Sequence, residues 1–182
     1  SDLAIESNKK GHSVLVTCHN LMMADSLNED LGNLANIKVS SLDDLMLELA
    51  GLKQHKLEDS NKWFRETLPT LALNKMASAP HRKYSAIIVD EFQDSSAARA
   101  RLVNALVKNR GKYVLAVGDD WQSINRFAGA DVSLMTRFHG IFGEGPTLLL
   151  SRTFRCTQII ADVATKFVTK NPEQIKKTVV AE

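Results

Sequence analysis

The sequence predicts an α/β protein of three layers, with helices on both faces of a central, mainly parallel sheet. Two observations carry that prediction. Residues 13–17, 86–89, 113–117 and 147–150 are short apolar runs, β-branched or leucine-rich, without polar alternation. Strands covered on both faces read this way. Helical patterns lie between them, and strand–helix alternation at spacings of roughly 25–35 residues marks βαβ units.

Taken in order, the first strand begins at Ser13, and residues 21–31 read as a helix. Residues 42–52 and 63–76 are helical in pattern, with a polar loop over 53–61 and no strand between them. We therefore expect 41–80 to be a small, mostly helical insertion on the α/β core. After the strand at 86–89, Ser95 or Ser96 can cap a helix through Val107, with Leu102, Val103, Leu106 and Val107 on one face and Gly111 as its stop. Asp131 can cap a helix over 132–142, closed by Gly143. Thr157 opens another, with Ile159, Ile160, Val163, Ala164 and Phe167 expected inward and Pro172 as its end.

Composition limits the classes. A chain of 182 residues fits one α/β domain or slightly more, and 44% hydrophobic content is enough for a core. A formal charge of +2 is too small to argue for nucleic acid, so any basic patch must be local. From residue 150 onward Arg152, Arg155, Lys166, Lys170, Lys176 and Lys177 face only Asp162, Glu173 and Glu182; a solvated face is the plain reading of that bias. Cys18 and Cys156 lack CxxC spacing, which argues against zinc and a disulfide framework. No run approaches the ~18 apolar residues of a membrane span. The expected setting is the reducing cytoplasm, with no membrane partner.

The chemistry concentrates at two strand ends. The run 86–89 stops at Asp90-Glu91-Phe92-Gln93-Asp94, and the run 113–117 stops at Gly118-Asp119-Asp120-Trp121-Gln122-Ser123. A parallel sheet places ligands outside the carboxyl ends of its strands. Two acidic ends side by side suggest one site for a metal and a phosphate. An Asp-Glu pair at a buried strand tip resembles the Walker B element, where Asp holds Mg²⁺. Its usual partner, the loop G-x-x-x-x-G-K-[ST], is absent: Gly111-Lys112 is followed by Tyr113, and Leu106 stands where the first glycine belongs.

Residues 84–182 resemble superfamily 1 DNA helicases of the Rep/UvrD group, and most of all the DNA helicase IV branch. Residues 90–94 match the group's motif II. The run Val117 to Ala130 matches motif III over its whole length, and Ser151-Arg152-Thr153-Phe154-Arg155 matches motif IV. Residues 138–145 and 171–177 also resemble that branch, and 14–20 resemble motif Ia more weakly. The resemblance implies a RecA-like P-loop NTPase fold, truncated. Residues 1–150 would be the first motor domain, lacking Walker A, and 151–182 the start of the second. Residues 2–10 would be the tail of the helix that follows the missing phosphate loop.

The same resemblance implies ATP and Mg²⁺ as cofactors, and single-stranded and partially duplex DNA as partners. Asp90 would bind Mg²⁺, since hard cations prefer carboxylate oxygens. Glu91 would orient or deprotonate the attacking water. Gln122 would sense the γ-phosphate, because an amide both donates and accepts. Arg155 would neutralise charge on the transferring phosphoryl group, with Phe154 stacked on adenine. Phe127 would stack a DNA base, flanked by Asn125 and Arg126, and Thr17, His19 and Asn20 would touch the DNA backbone. For Phe127 and Phe154 core packing is the rival reading; for 17–20 it is a simple turn. Asn125, Ala128, Cys18 and Leu21 depart from the residues common in the group, which removes possible stacks and phosphate contacts.

The expected activity is ATP-driven translocation on single-stranded DNA with duplex unwinding; as it stands, the chain is expected not to hydrolyse ATP. Two rivals are a non-catalytic remnant that binds DNA or a partner, and a metal-dependent nuclease using Asp90, Glu91, Asp119 and Asp120. The complete motif III run weighs against the nuclease.

Overall fold

The central sheet of the computed structural model is formed by β1 (Val14–Cys18), β2 (Ile37–Ser41), β3 (Ala86–Val89) and β4 (Tyr113–Ala116). All pairings are parallel, in the spatial order β2-β1-β3-β4. The structure describes residues 2–18, 21–52, 63–78, 83–108 and 113–182.

Period-two alternation sorts the strand residues between two cores. Leu15, Ile87 and Val89 face one side, where they pack with α3 (Leu42–Ala50), α4 (Leu68–Ser78) and α5 (Ala97–Lys108). Val14, Val16 and Ala86 face the other, packed with Ala4 of α1 (Asp2–Lys9) and Leu31 of α2 (Leu21–Leu31). The result is the predicted three-layer α/β fold. β1 is buried along its whole length because it lies inside the sheet, whereas β4 alternates between exposed and half-buried residues.

Local chemistry sets the helix ends. Ser41 caps α3, its Oγ accepting the Asp44 amide at 3.1 Å, and Gly51 closes the helix at φ 73°. Ser96 caps α5, its Oγ accepting the Arg99 amide at 3.3 Å. An ion pair joins the two helices: Arg99 Nη2 of α5 pairs with Asp43 of α3 at 2.7 Å.

The structure departs from the sequence reading in several places. β2 was not expected; it is a polar edge strand, only partly buried through its middle. Residues 147–150 are not a strand, and Leu148 and Leu150 are 84% and 87% exposed. The helix expected over 132–142 is divided into α6 (Ser133–Thr136) and α7 (Phe138–Phe142), with Arg137 at φ −115° between them. Asp131 nonetheless begins it, accepting the Ser133 amide at 2.9 Å.

Residues 151–182 form a small βαβ unit in which β5 (Arg152–Thr153) pairs parallel with β6 (Val180–Ala181) across α8 (Gln158–Val168). The apolar face of α8 was expected inward. Instead Ile159, Ile160, Val163 and Phe167 are exposed, since no described residue covers them. The expected loop at 53–61 and the helix stop at Gly111 fall outside the described residues. Among the described residues no helix is long and apolar enough to cross a membrane.

Candidate functional site

β3 and β4 are neighbours in register, Val89 opposite Ala116, so the two acidic strand ends leave the same edge of the sheet side by side. Backbone hydrogen bonds join them: Val117 N donates to Val89 O at 2.8 Å and Phe92 N to Val117 O at 2.9 Å. On the other flank Asp90 N donates to Thr17 O at 2.8 Å. Glu91 then turns with φ 51° and ψ 44°, a left-handed conformation that costs a non-glycine residue about 1–2 kcal/mol. Its neighbours hold it there. Phe92, only 1% exposed, is locked in the core against Phe138 and Phe142, and the Glu91 amide donates to Asp90 Oδ1 at 3.0 Å.

A chain of side-chain hydrogen bonds runs from Glu91 to Gln122. Gln93 Nε2 donates to Glu91 Oε2 at 2.6 Å, and Gln93 Oε1 accepts the Asp119 amide at 3.0 Å. Asp119 Oδ2 in turn accepts Gln122 Nε2 at 2.8 Å. Gln93 is 2% exposed and satisfied at both ends of its amide. Sequence reasoning missed it as a site residue, although it stands inside the motif II run. Gly118 is required by close approach here, because a Cβ at that position would lie 2.6 Å from Gln93 Oε1. Two further bonds stitch the loops: Asn125 Nδ2 to Asp94 Oδ1 at 2.8 Å, and Ser123 Oγ to Gln93 O at 3.3 Å.

The second loop is also gripped from residues 174–177. Lys177 Nζ pairs with Asp119 Oδ1 and, at 3.1 Å, with Asp120 Oδ1, and it lies 4.7 Å from the centroid of the Trp121 ring. Ile175 N donates to Asp120 Oδ2 at 2.7 Å, and Trp121 Nε1 donates to Ile175 O at 2.9 Å. Burial alone pushes the Asp119 carboxyl up. Hydrogen bonds from Lys177 and Gln122, the Lys177 charge and the Trp121 amide outweigh it, and the pKa is held below its ordinary 3.8.

The remaining expected residues distribute as follows. Phe127 is 81% exposed and Phe154 74% exposed, so neither ring is packed in a core formed by the described residues. Arg126 is exposed beside Phe127, while the Asn125 amide is committed to Asp94. Arg155 is exposed, and among the described residues no hydrogen bond or ion pair holds its guanidinium. Thr17 is fully buried in β1, and its hydroxyl finds no partner among the described residues. His19 and Asn20 lie outside the described residues. Asp90, Glu91, Asp119 and Asp120 do not converge as a nuclease would need: among the described residues no three acidic, His or Cys groups are placed to share a metal.

Residues 12–142 match the UvrD/REP helicase N-terminal domain. The chain is 52% identical to DNA helicase IV of Escherichia coli (strain K12) over 92 residues, covering 50% of this chain and 14% of that protein. It is 30% identical to ATP-dependent DNA helicase PcrA of Leuconostoc citreum over 130 residues, covering 68% of this chain and 17% of that one. PcrA of Staphylococcus epidermidis is 35% identical over 95 residues, 52% of this chain and 13% of its own length. The chain thus spans about a sixth or less of these relatives. With the match covering both strand ends and the loops that join them, the chain belongs to the UvrD/REP helicase family.

Proposed function

We propose that this chain carries part of an ATP-dependent DNA helicase motor, one that moves along single-stranded DNA and opens duplex DNA as ATP is hydrolysed. The observation that carries the reading is the hydrogen-bond chain Glu91–Gln93–Asp119–Gln122 across two adjacent strand ends. It fixes a carboxylate and an amide at one sheet edge, the pair needed to handle a water and a phosphate together. The relatives' names, DNA helicase IV and ATP-dependent DNA helicase PcrA, support the same activity.

The residues present fit the magnesium side of Mg·ATP, while the phosphate-cradling loop G-x-x-x-x-G-K-[ST] does not occur in residues 1–182. Mg²⁺ is held through one or two carboxylates plus phosphate oxygens and waters. The half-buried Asp90 supplies such a carboxylate, one oxygen of which is occupied by the Glu91 amide. Bound Mg·ATP supplies the phosphoanhydride bond whose cleavage drives movement.

Glu91 accepts the proton of the attacking water, with Gln93 fixing the carboxylate's other contact. Gln122 spends one amide hydrogen on Asp119 and keeps the second, with its carbonyl, for phosphate and water. Arg155 stabilises charge on the phosphoryl group, and Phe154 stacks on the base. Phe127, exposed and backed by Arg126, stacks a DNA base without reading sequence. The same reading places the protein in the cytoplasm.

The test uses an ATPase-active protein that carries this chain. Glu91→Gln retains size and hydrogen bonding but loses the basic carboxylate, so turnover should fall roughly 10²–10⁴-fold while nucleotide binding persists. Arg155→Ala should lower turnover as well. Full turnover in Glu91→Gln would remove Glu91 from the mechanism.

A further inference from the structure

Among the six basic residues from position 150 onward, Lys177 does not behave as a solvated charge. Its side chain is only 13% exposed, and both its carboxylate partners belong to the loop that ends in Gln122. The Asp119 carboxylate is shared, with Oδ1 turned to Lys177 and Oδ2 to Gln122. Asp120 is 2% exposed, and its carboxylate is divided between Lys177 and the Ile175 amide. The Gln174 amide, oriented to satisfy both its ends, adds bonds to Asp120 Oδ2 at 2.7 Å and Asp120 O at 2.9 Å.

We infer that Lys177 is a positioning residue for Gln122, and that the 174–177 segment ties the proposed nucleotide sensor to the βαβ unit of residues 151–182. The inference rests on the reading of Gln122 given above. A carboxylate with two oxygens can hold an amide in one orientation only if its own rotation is fixed. Here the Trp121 amide and Lys177 both fix it through Oδ1. Removing the ammonium frees the carboxylate to rotate, and Gln122 loses its anchor. The Asp119 amide would shift as well, and with it the Gln93 contact that reaches Glu91. Movement of the βαβ unit would be felt at Gln122 by the same path, since Lys177 lies three residues before β6. No direct contact between Lys177 and nucleotide is required.

The test begins with the 182-residue chain itself, using ¹H–¹⁵N spectra of Lys177→Met and Lys177→Arg. Methionine keeps an apolar stem over Trp121 and removes the charge. The expected result in Lys177→Met is a shift of the Gln122 side-chain amide and of the Asp119 backbone amide, with the β1 and β3 amides unmoved; arginine should restore both signals. An unmoved Gln122 amide overturns the inference. So does a chain that loses its fold altogether, since that marks Lys177 as structural.

A second arm uses an ATPase-active protein that carries this chain. A misplacement of about 1 Å can cost on the order of 100-fold in rate, so Lys177→Met should lower kcat roughly 10–100-fold with little change in KM. Lys177→Arg should recover most of it. Unchanged kcat alongside a moved Gln122 amide would strike at the role of Gln122, and thus at the proposed function, while leaving the positioning contact intact.

Discussion

The two loops that make the candidate site leave neighbouring strands at the same edge, yet they are anchored by opposite kinds of physics. The loop after β3 is held by an apolar plug. Phe92 sits 5.7 Å from each of the Phe138 and Phe142 rings, which stack on one another at 4.6 Å. The loop after β4 is held by charge: the buried Asp120 and the half-exposed Asp119 are gripped by Lys177, with the 174–175 backbone and amide completing the contact. The difference assigns different tasks. Apolar anchors are insensitive to charge and salt and give a fixed platform, here for Glu91. An electrostatic anchor drawn from a segment more than fifty positions away in sequence can be released, which suits a loop that must respond to a ligand.

The sharpest way to break that contrast is to remove the plug. Phe92→Ala should destabilise the chain by about 3–5 kcal/mol, the usual cost of deleting a buried aromatic side chain, with little dependence on ionic strength. Denaturant unfolding at low and high salt measures both. A loss well under 1 kcal/mol would mean that the backbone ladder to Val117, not the ring, holds the β3 loop.

The contrast also explains what was readable in the sequence. Three of the four expected strands are present because runs such as Ile87-Ile88-Val89 can only be buried on both faces, and the three-layer fold follows from them. β2 was missed since Lys38, Ser40 and Ser41 make it a polar edge, with burial concentrated at Ile37 and Ser41. The run at 147–150 misled because leucine content alone does not create a partner strand. The β3 loop was readable, being local and hydrophobic next to acidic. The Lys177 grip was not: a lone lysine in a basic stretch has no sequence mark that distinguishes an ion pair from a solvated charge, and only the fold brings it to Asp119. Gln93 was overlooked for a related reason, since its value lies in two hydrogen bonds to residues on either side of the site.

Acid should separate the two anchors by a smaller amount. The Asp119 carboxyl is held below its ordinary 3.8 by Lys177 and Gln122 despite burial. A carboxyl whose pKa is lower folded than unfolded contributes stability that is fully present above the unfolded value. That contribution is lost as pH falls through the folded value. The β4 loop should therefore loosen below pH 3.8, and Lys177→Met should already lack that stability at neutral pH and show a flatter acid limb. Trp121 fluorescence, read in a Trp63→Phe background and followed from neutral pH into that range, reports the β4 loop, because its indole donates to Ile175. Identical acid limbs in the two proteins would show that the Lys177 pair contributes nothing to loop stability.

The smallest effect on stability is expected where neither anchor operates. Phe127 projects from the β4 side with 81% of its surface open, so Phe127→Ala should change unfolding free energy by no more than about 0.5 kcal/mol, as for other surface positions. Its effect should appear only with DNA, where loss of one stacked base costs about 1–3 kcal/mol. Fluorescence anisotropy with a labelled single-stranded oligonucleotide measures that loss. Leu148→Ala is the control, since Leu148 is equally exposed at 84% but lies outside the motif III run. If both variants weaken binding alike, the contact is general apolar adhesion; a loss confined to Phe127 marks base stacking by a ring that the fold leaves uncovered.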